Sequence, residues 1–188
     1  EDMWETLYHS NGIGLAAPQI GKAIRIFLVD TQQLDENKPE AEKIGDGIKQ
    51  VFINAEILEE AGEDWPYEEG CLSIPDVSGD VERLEEVTIR YLDENFKEHQ
   101  QTFTGMNARV IQHEYDHIEG ILFTELLKPA KKQRIRRKLE SIRKGKAKPK
   151  YPMVFYTKKW SLSTKVGWDF SPVSGIPFEN FILIAIIV

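Results

Sequence analysis

Between Gly105 and Gly120 the chain reads GMNARVIQHEYDHIEG. Met106, Val110, His113 and His117 recur at intervals of three and four, the period of a helix, and Gly120 stands where a C-cap is expected. His113 and His117, four residues apart, share a face of that helix, so two imidazoles can reach one cation. Glu114 sets a carboxylate beside the cation's open position, the arrangement for moving a proton to and from an activated water. Histidines at this spacing also occur as packing or surface residues; their place on a clear helix favours a metal site.

A hydrolytic metal site takes three protein ligands and keeps a fourth position open. In proteases of the HExxHxxGxxH type a third histidine follows; Gly120 fits that pattern, but Phe123 stands in the ligand place. A downstream glutamate of the thermolysin kind is missing too, since position 137 is Arg and Glu140 lies in a basic segment. Cys71 is the single cysteine, in Glu69-Gly70-Cys71-Leu72-Ser73, so no intramolecular disulfide can form. A lone cysteine ordinarily packs as a small buried hydrophobe. Here a thiolate with two imidazoles neutralises part of a divalent charge and leaves one place for water. Cys71 is therefore the expected third ligand.

Outward from the motif, Met3, Trp4, Leu7 and Tyr8 have helical spacing within residues 1–10, ending at Ser10-Asn11-Gly12. Ile24 to Asp30 reads as a largely buried strand, residues 31–50 as a polar insertion, and Val51 to Leu58 as a second strand. Val81 to Leu92 alternates in part and turns through Asp93-Glu94-Asn95 into His99 to Thr104. Residues 130–144 predict another helix, with Ile135, Leu139 and Ile142 on one stripe and basic residues elsewhere. Strands and helices in separate blocks predict an α+β fold: antiparallel sheets packed around a central HExxH-bearing helix, with a C-terminal basic helix.

A chain of 188 residues supports one good core. The expected organisation is one catalytic domain over residues 1–150 and an atypical tail over 151–188. The longest apolar run, Phe181 to Val188, falls well short of the roughly 20 residues that span a bilayer. No membrane partner is expected. Charge is uneven, with 12 of the 24 Lys and Arg falling within residues 128–150 against Glu140 alone. The acidic remainder argues against DNA as a partner.

Three segments together resemble the peptide deformylase family: Gly12 to Gln19 (GIGLAAPQ), Glu69 to Ser73 (EGCLS) and Gln112 to His117 (QHEYDH). Flanking text looks similar, including VERLEEVTIRYLDENF and the run GILFTELLKPAKKQRIRRKLESIRKGK that begins at Gly120, so the resemblance covers roughly residues 1–150. It implies removal of the formyl group from the N-terminal formyl-methionine of nascent polypeptides in a bacterial cytoplasm. It also implies one divalent cofactor, natively Fe2+, with Zn2+, Ni2+ or Co2+ able to take its place. The matching positions are Cys71, His113 and His117 as ligands, Glu114 as general acid/base, and Gln19 with the Leu72 backbone N–H as oxyanion donors. Gly12, Ile13, Gly14, Tyr67 and Val110 border the substrate by the same resemblance.

Bacterial members further imply a ribosome-docking role for the basic helix over 130–150. Arg83 is the expected partner of Asp116 or Glu69. Three departures stand out: a few dozen residues that usually precede the first helix are not present, the tail beyond about Phe155 has no counterpart, and Ser78 stands where many members carry arginine. The truncation and the tail keep a second reading open, a catalytically impaired fragment that only binds peptide or ribosome.

Overall fold

Five antiparallel strands and the helix that carries both histidines make the frame of the computed structural model, which describes residues 1–36, 38, 46–151, 153–155 and 184–185. Helix α1 spans Asp2–His9, followed by strands β1 (Gly14–Ala16), β2 (Ile26–Asp30), β3 (Lys49–Cys71), β4 (Ile74–Leu92) and β5 (Glu98–Thr104). The sheet order is β1-β2-β3-β4-β5, each neighbour antiparallel. Then come helices α2 (Gly105–Glu119), α3 (Phe123–Leu126) and α4 (Pro129–Arg143). Val154–Phe155 (β6) pairs with Ile184–Ala185 (β7). Among the described residues, no helix is long and apolar enough to cross a membrane.

The α+β expectation holds, with α2 lying on the sheet. Ala108, Val110, Ile111 and Ile118 from α2 join Phe27, Val29, Phe52, Val87, Ile89, Tyr91 and Phe103 from the strands in the main core. Phe52 stacks on Phe27 at 4.6 Å and meets Tyr91 at 4.5 Å and Phe103 at 5.9 Å. Truncating so enclosed an aromatic to alanine typically costs about 3–5 kcal/mol. This core anchors the face of α2 opposite the histidines. Gly120, in the left-handed conformation (φ 77°), ends the helix as its spacing predicted.

A second apolar cluster joins Ile74, Val77, Val81, Phe123, Leu127 and Ile142, with Cys71, Ile135 and Leu139 against it. The predicted stripe of α4 is thus the face that docks on β4. Met153 and Phe155, beyond the expected boundary at 150, pack against the same cluster.

The structure corrects the strand reading between Leu58 and Val81. β3 and β4 run on through that interval and close as a hairpin at Leu72 and Ser73. Residues 59–70 are dominated by Glu, Asp and Gly, types depleted in strands, and most are exposed. Backbone pairing with β4, not burial of its own side chains, sustains this stretch of β3. Among the described residues, strand β3 has no strand partner on its other side beyond Ile53, so Pro66 breaks no ladder there. Likewise Gly14–Ala16 forms a short buried strand on β2 within the motif. The polar insertion begins with a 3-10 turn at Gln32–Leu34, and its residues 37 and 39–45 lie outside the described residues.

Candidate metal centre and active site

Helix and hairpin converge at one point. His113 and His117 stand edge to face on α2, ring centres 5.1 Å apart. Cys71 ends β3 opposite them, its Sγ 3.2 Å from His117 Nε2. The donor atoms of Cys71, His113 and His117 lie within 4.8 Å of one another. Burial alone would raise the Cys71 thiol, but the two histidines outweigh it and hold the thiol well below its ordinary value, favouring the thiolate that a cation needs.

Glu69, two residues before the cysteine, organises what lies behind the candidate ligands. Its Oε2 is 2.9 Å from His113 Nδ1, which leaves the other ring nitrogen for a metal. Arg83 donates to both carboxylate oxygens of Glu69, at 2.7 and 3.0 Å, and to Asp116 Oδ2 at 2.9 Å. Arg83 therefore partners both candidate acids at once. Arg109 adds a 2.7 Å hydrogen bond to Glu69 Oε1. Burial works to raise Glu69, yet hydrogen bonds from His113 and Arg83 and their charges bring it down to about 2. The donor set, one thiolate with two oriented imidazoles, fits a single divalent ion with a coordination place to spare.

Glu114 is buried, and its Oε2 has no hydrogen-bond partner among the described residues. Burial pushes its pKa up to about 7, near where a group that must both take and return a proton is most effective. The motif glycines make room for it. A Cβ on Gly14 would come within 2.7 Å of Glu114 Cγ, and one on Gly12 within 2.8 Å of methyls of Leu7 and Leu72. Gly14 thus serves the carboxylate directly. Gln19 Oε1 accepts from the Ala16 N–H at 2.7 Å, which turns Nε2 toward Ser73 Oγ (3.2 Å) and Cys71 Sγ (3.8 Å). An amide held at its carbonyl end presents N–H groups to the centre.

An open cleft of ≈ 390 Å³ runs over this centre. Its lining includes Gly12, Ile13, Gly14, Gln19, Tyr67, Cys71, Leu72, Val110, His113 and Glu114. Of the residues expected from sequence, His117 alone is absent from the lining, behind Cys71. Arg109 and Tyr151 stand out among the lining residues that the sequence reading missed. Arg109 is buried beneath Trp65 and Tyr67, its guanidinium 4.7 and 5.5 Å from their ring centres. Its position four before His113, on the same helical face, was the available signal. Tyr151 reaches the cleft from beyond α4, and its hydroxyl donates to the Leu72 carbonyl at 2.6 Å. Burial and the nearby charges of Cys71 and Asp76 push that phenol up to about 12, so it stays a donor.

The sequence profile of the polypeptide deformylase family matches residues 1–133. The peptide deformylase of Christiangramia forsetii is 52% identical over 157 residues, covering 82% of this chain and 80% of that one. The chain belongs to the polypeptide deformylase family. Among solved structures, a peptide deformylase from Legionella pneumophila superimposes with a TM-score of 0.64 at 38% identity, covering 79% of this chain and 81% of that one. The peptide deformylase of Synechococcus elongatus, in complex with actinonin, gives 0.63 at 38% identity over 78% of this chain and 75% of that one. Within this deformylase, Ser78 donates to Glu68 Oε1 at 2.8 Å. A neutral hydroxyl thus caps an exposed carboxylate where arginine was expected.

Proposed function

We propose that this deformylase removes the formyl group from the N-terminal formyl-methionine of nascent peptides, with water consumed and formate and a free amine released. The observation that carries the reading is the buried Glu114 oxygen without a partner, beside three donors that can close on one ion. A divalent ion held by Cys71, His113 and His117 would polarise the formyl oxygen and lower the pKa of a water.

The chain's own groups supply the rest. Glu114 accepts the water's proton as the oxygen attacks the formyl carbon, and returns it to the amine nitrogen as the C–N bond breaks. The former carbonyl oxygen gains negative charge in between. Gln19 Nε2, fixed by the bond from Ala16 N–H to its Oε1, and the Leu72 backbone N–H meet that charge; removing one such donor typically costs about 3–4 kcal/mol. Ile13, Gly14, Tyr67 and Val110 border the bound peptide, and Gly12 and Gly14 keep its approach open.

Iron is the native ion in this reading, with zinc, nickel and cobalt able to substitute; thiolate and imidazole donors suit all of them. The basic face of α4 docks on ribosomal RNA, which brings the enzyme to its substrate in a bacterial cytoplasm. Stripping the protein with a chelator should abolish formate release, and anaerobic Fe2+ should restore more of it than Zn2+. Full activity retained in verified metal-free protein would refute the metal assignment.

A further inference from the structure

The hairpin that carries Cys71 is held from outside. Leu72 and Ser73 close it, between the paired residues Cys71 and Ile74. Tight two-residue hairpin loops draw their stability from left-handed residues. Neither Leu72 nor Ser73 has a positive φ, so this tip does not gain that support. Two side chains grip it instead: Gln19 Nε2 at Ser73 Oγ, 3.2 Å, and the Tyr151 hydroxyl at the Leu72 carbonyl, 2.6 Å. Tyr151 is itself anchored by its neighbours in the chain. Gly145 turns with φ +66° after α4, Phe155 packs onto it, and Met153 and Phe155 join the cluster that holds Cys71.

We propose that Tyr151 is a positioning residue for deformylation: its hydrogen bond fixes residue 72, and with it the aim of the Leu72 N–H at the reacting oxygen. This role rests on the reading of that N–H as an oxyanion donor. It also makes the segment through Phe155 part of the catalytic unit. Because the grip matters most when charge develops, its loss falls on kcat and spares KM.

The test is Tyr151→Phe in the full chain, which keeps the ring and deletes the donor. Amide hydrogen exchange across residues 71–74 should quicken by about fivefold or more, in line with one lost hydrogen bond. With formyl-Met-Ala-Ser, kcat should fall about tenfold while KM stays within about twofold, the size expected when a part-buried acceptor is left unpaired. Metal content should match the wild type, and the melting temperature should fall by no more than the few degrees that one lost hydrogen bond costs. Unchanged exchange and kcat would overturn the role, as would a loss confined to KM or one that follows metal content or melting. Exchange is read without substrate, so a wild type that releases no formate defeats the deformylase reading separately.

Discussion

Gly14 and Glu69 show how single residues hold this centre without touching an ion. Gly14→Ala would drive a methyl into Glu114, so formate release should drop by roughly a hundredfold, within the range for a displaced general acid/base, while the melting temperature changes little. Unaltered activity in that variant would mean Glu114 has other room. Glu69 sits near 2 when folded against an ordinary 4.5, so its contribution to stability is complete above about pH 4.5 and is lost as pH falls toward 2. Over that window it is on the order of 3 kcal/mol, and Glu69→Gln should flatten the acid limb of a urea-unfolding series. Arg83→Leu leaves Glu69 with only Arg109 and His113 and takes the guanidinium from half-buried Asp116, and should cost about 1.5–3 kcal/mol together with metal content. Equal stability and equal metal in that variant would remove Arg83 from the account. The residues named by motif came together because their chemistry is written in their types. Arg109 escaped because its place on the histidine face does not by itself tell a site cation from a solvated one, and Tyr151 because one tyrosine in a featureless stretch has no distinguishing pattern.

Among elements, α2 was legible from its period and its glycine cap, and α4 from its apolar stripe. The outer part of β3 was not, because alternation reports burial and residues 59–70 are mostly exposed. Helix α4 turns Ile135, Leu139 and Ile142 to the second cluster and leaves Lys132, Arg136 and Arg137 exposed. Deleting the helix would therefore open the core as well as remove charge. Reversing those three cations to glutamate isolates the charge. Co-sedimentation with ribosomes should weaken steeply with added salt in the wild type and vanish in the triple variant, with formate release on free peptide unchanged. Binding indifferent to salt and to the substitutions would exclude α4 as the docking face.

At the scale of the molecule, the α+β architecture followed from the blocks of strands and helices, and the sheet sets β3's end against α2 with Gly14 of β1 and Arg83 of β4 beside it. What the sequence concealed was how the two apolar clusters divide that labour: one fixes α2, the other fixes the hairpin bearing Cys71. The third candidate ligand, Cys71, thus packs against a different part of the core from the helix that carries His113 and His117. Whether that assembly performs deformylation is decided by one measurement: formate released from formyl-Met-Ala-Ser by protein purified anaerobically with ferrous iron, wild type beside Glu114→Ala. Rapid release by the wild type, lowered roughly a hundredfold or more in the folded, metal-loaded variant, is the predicted result. No release from a folded, metal-loaded wild type would contradict it.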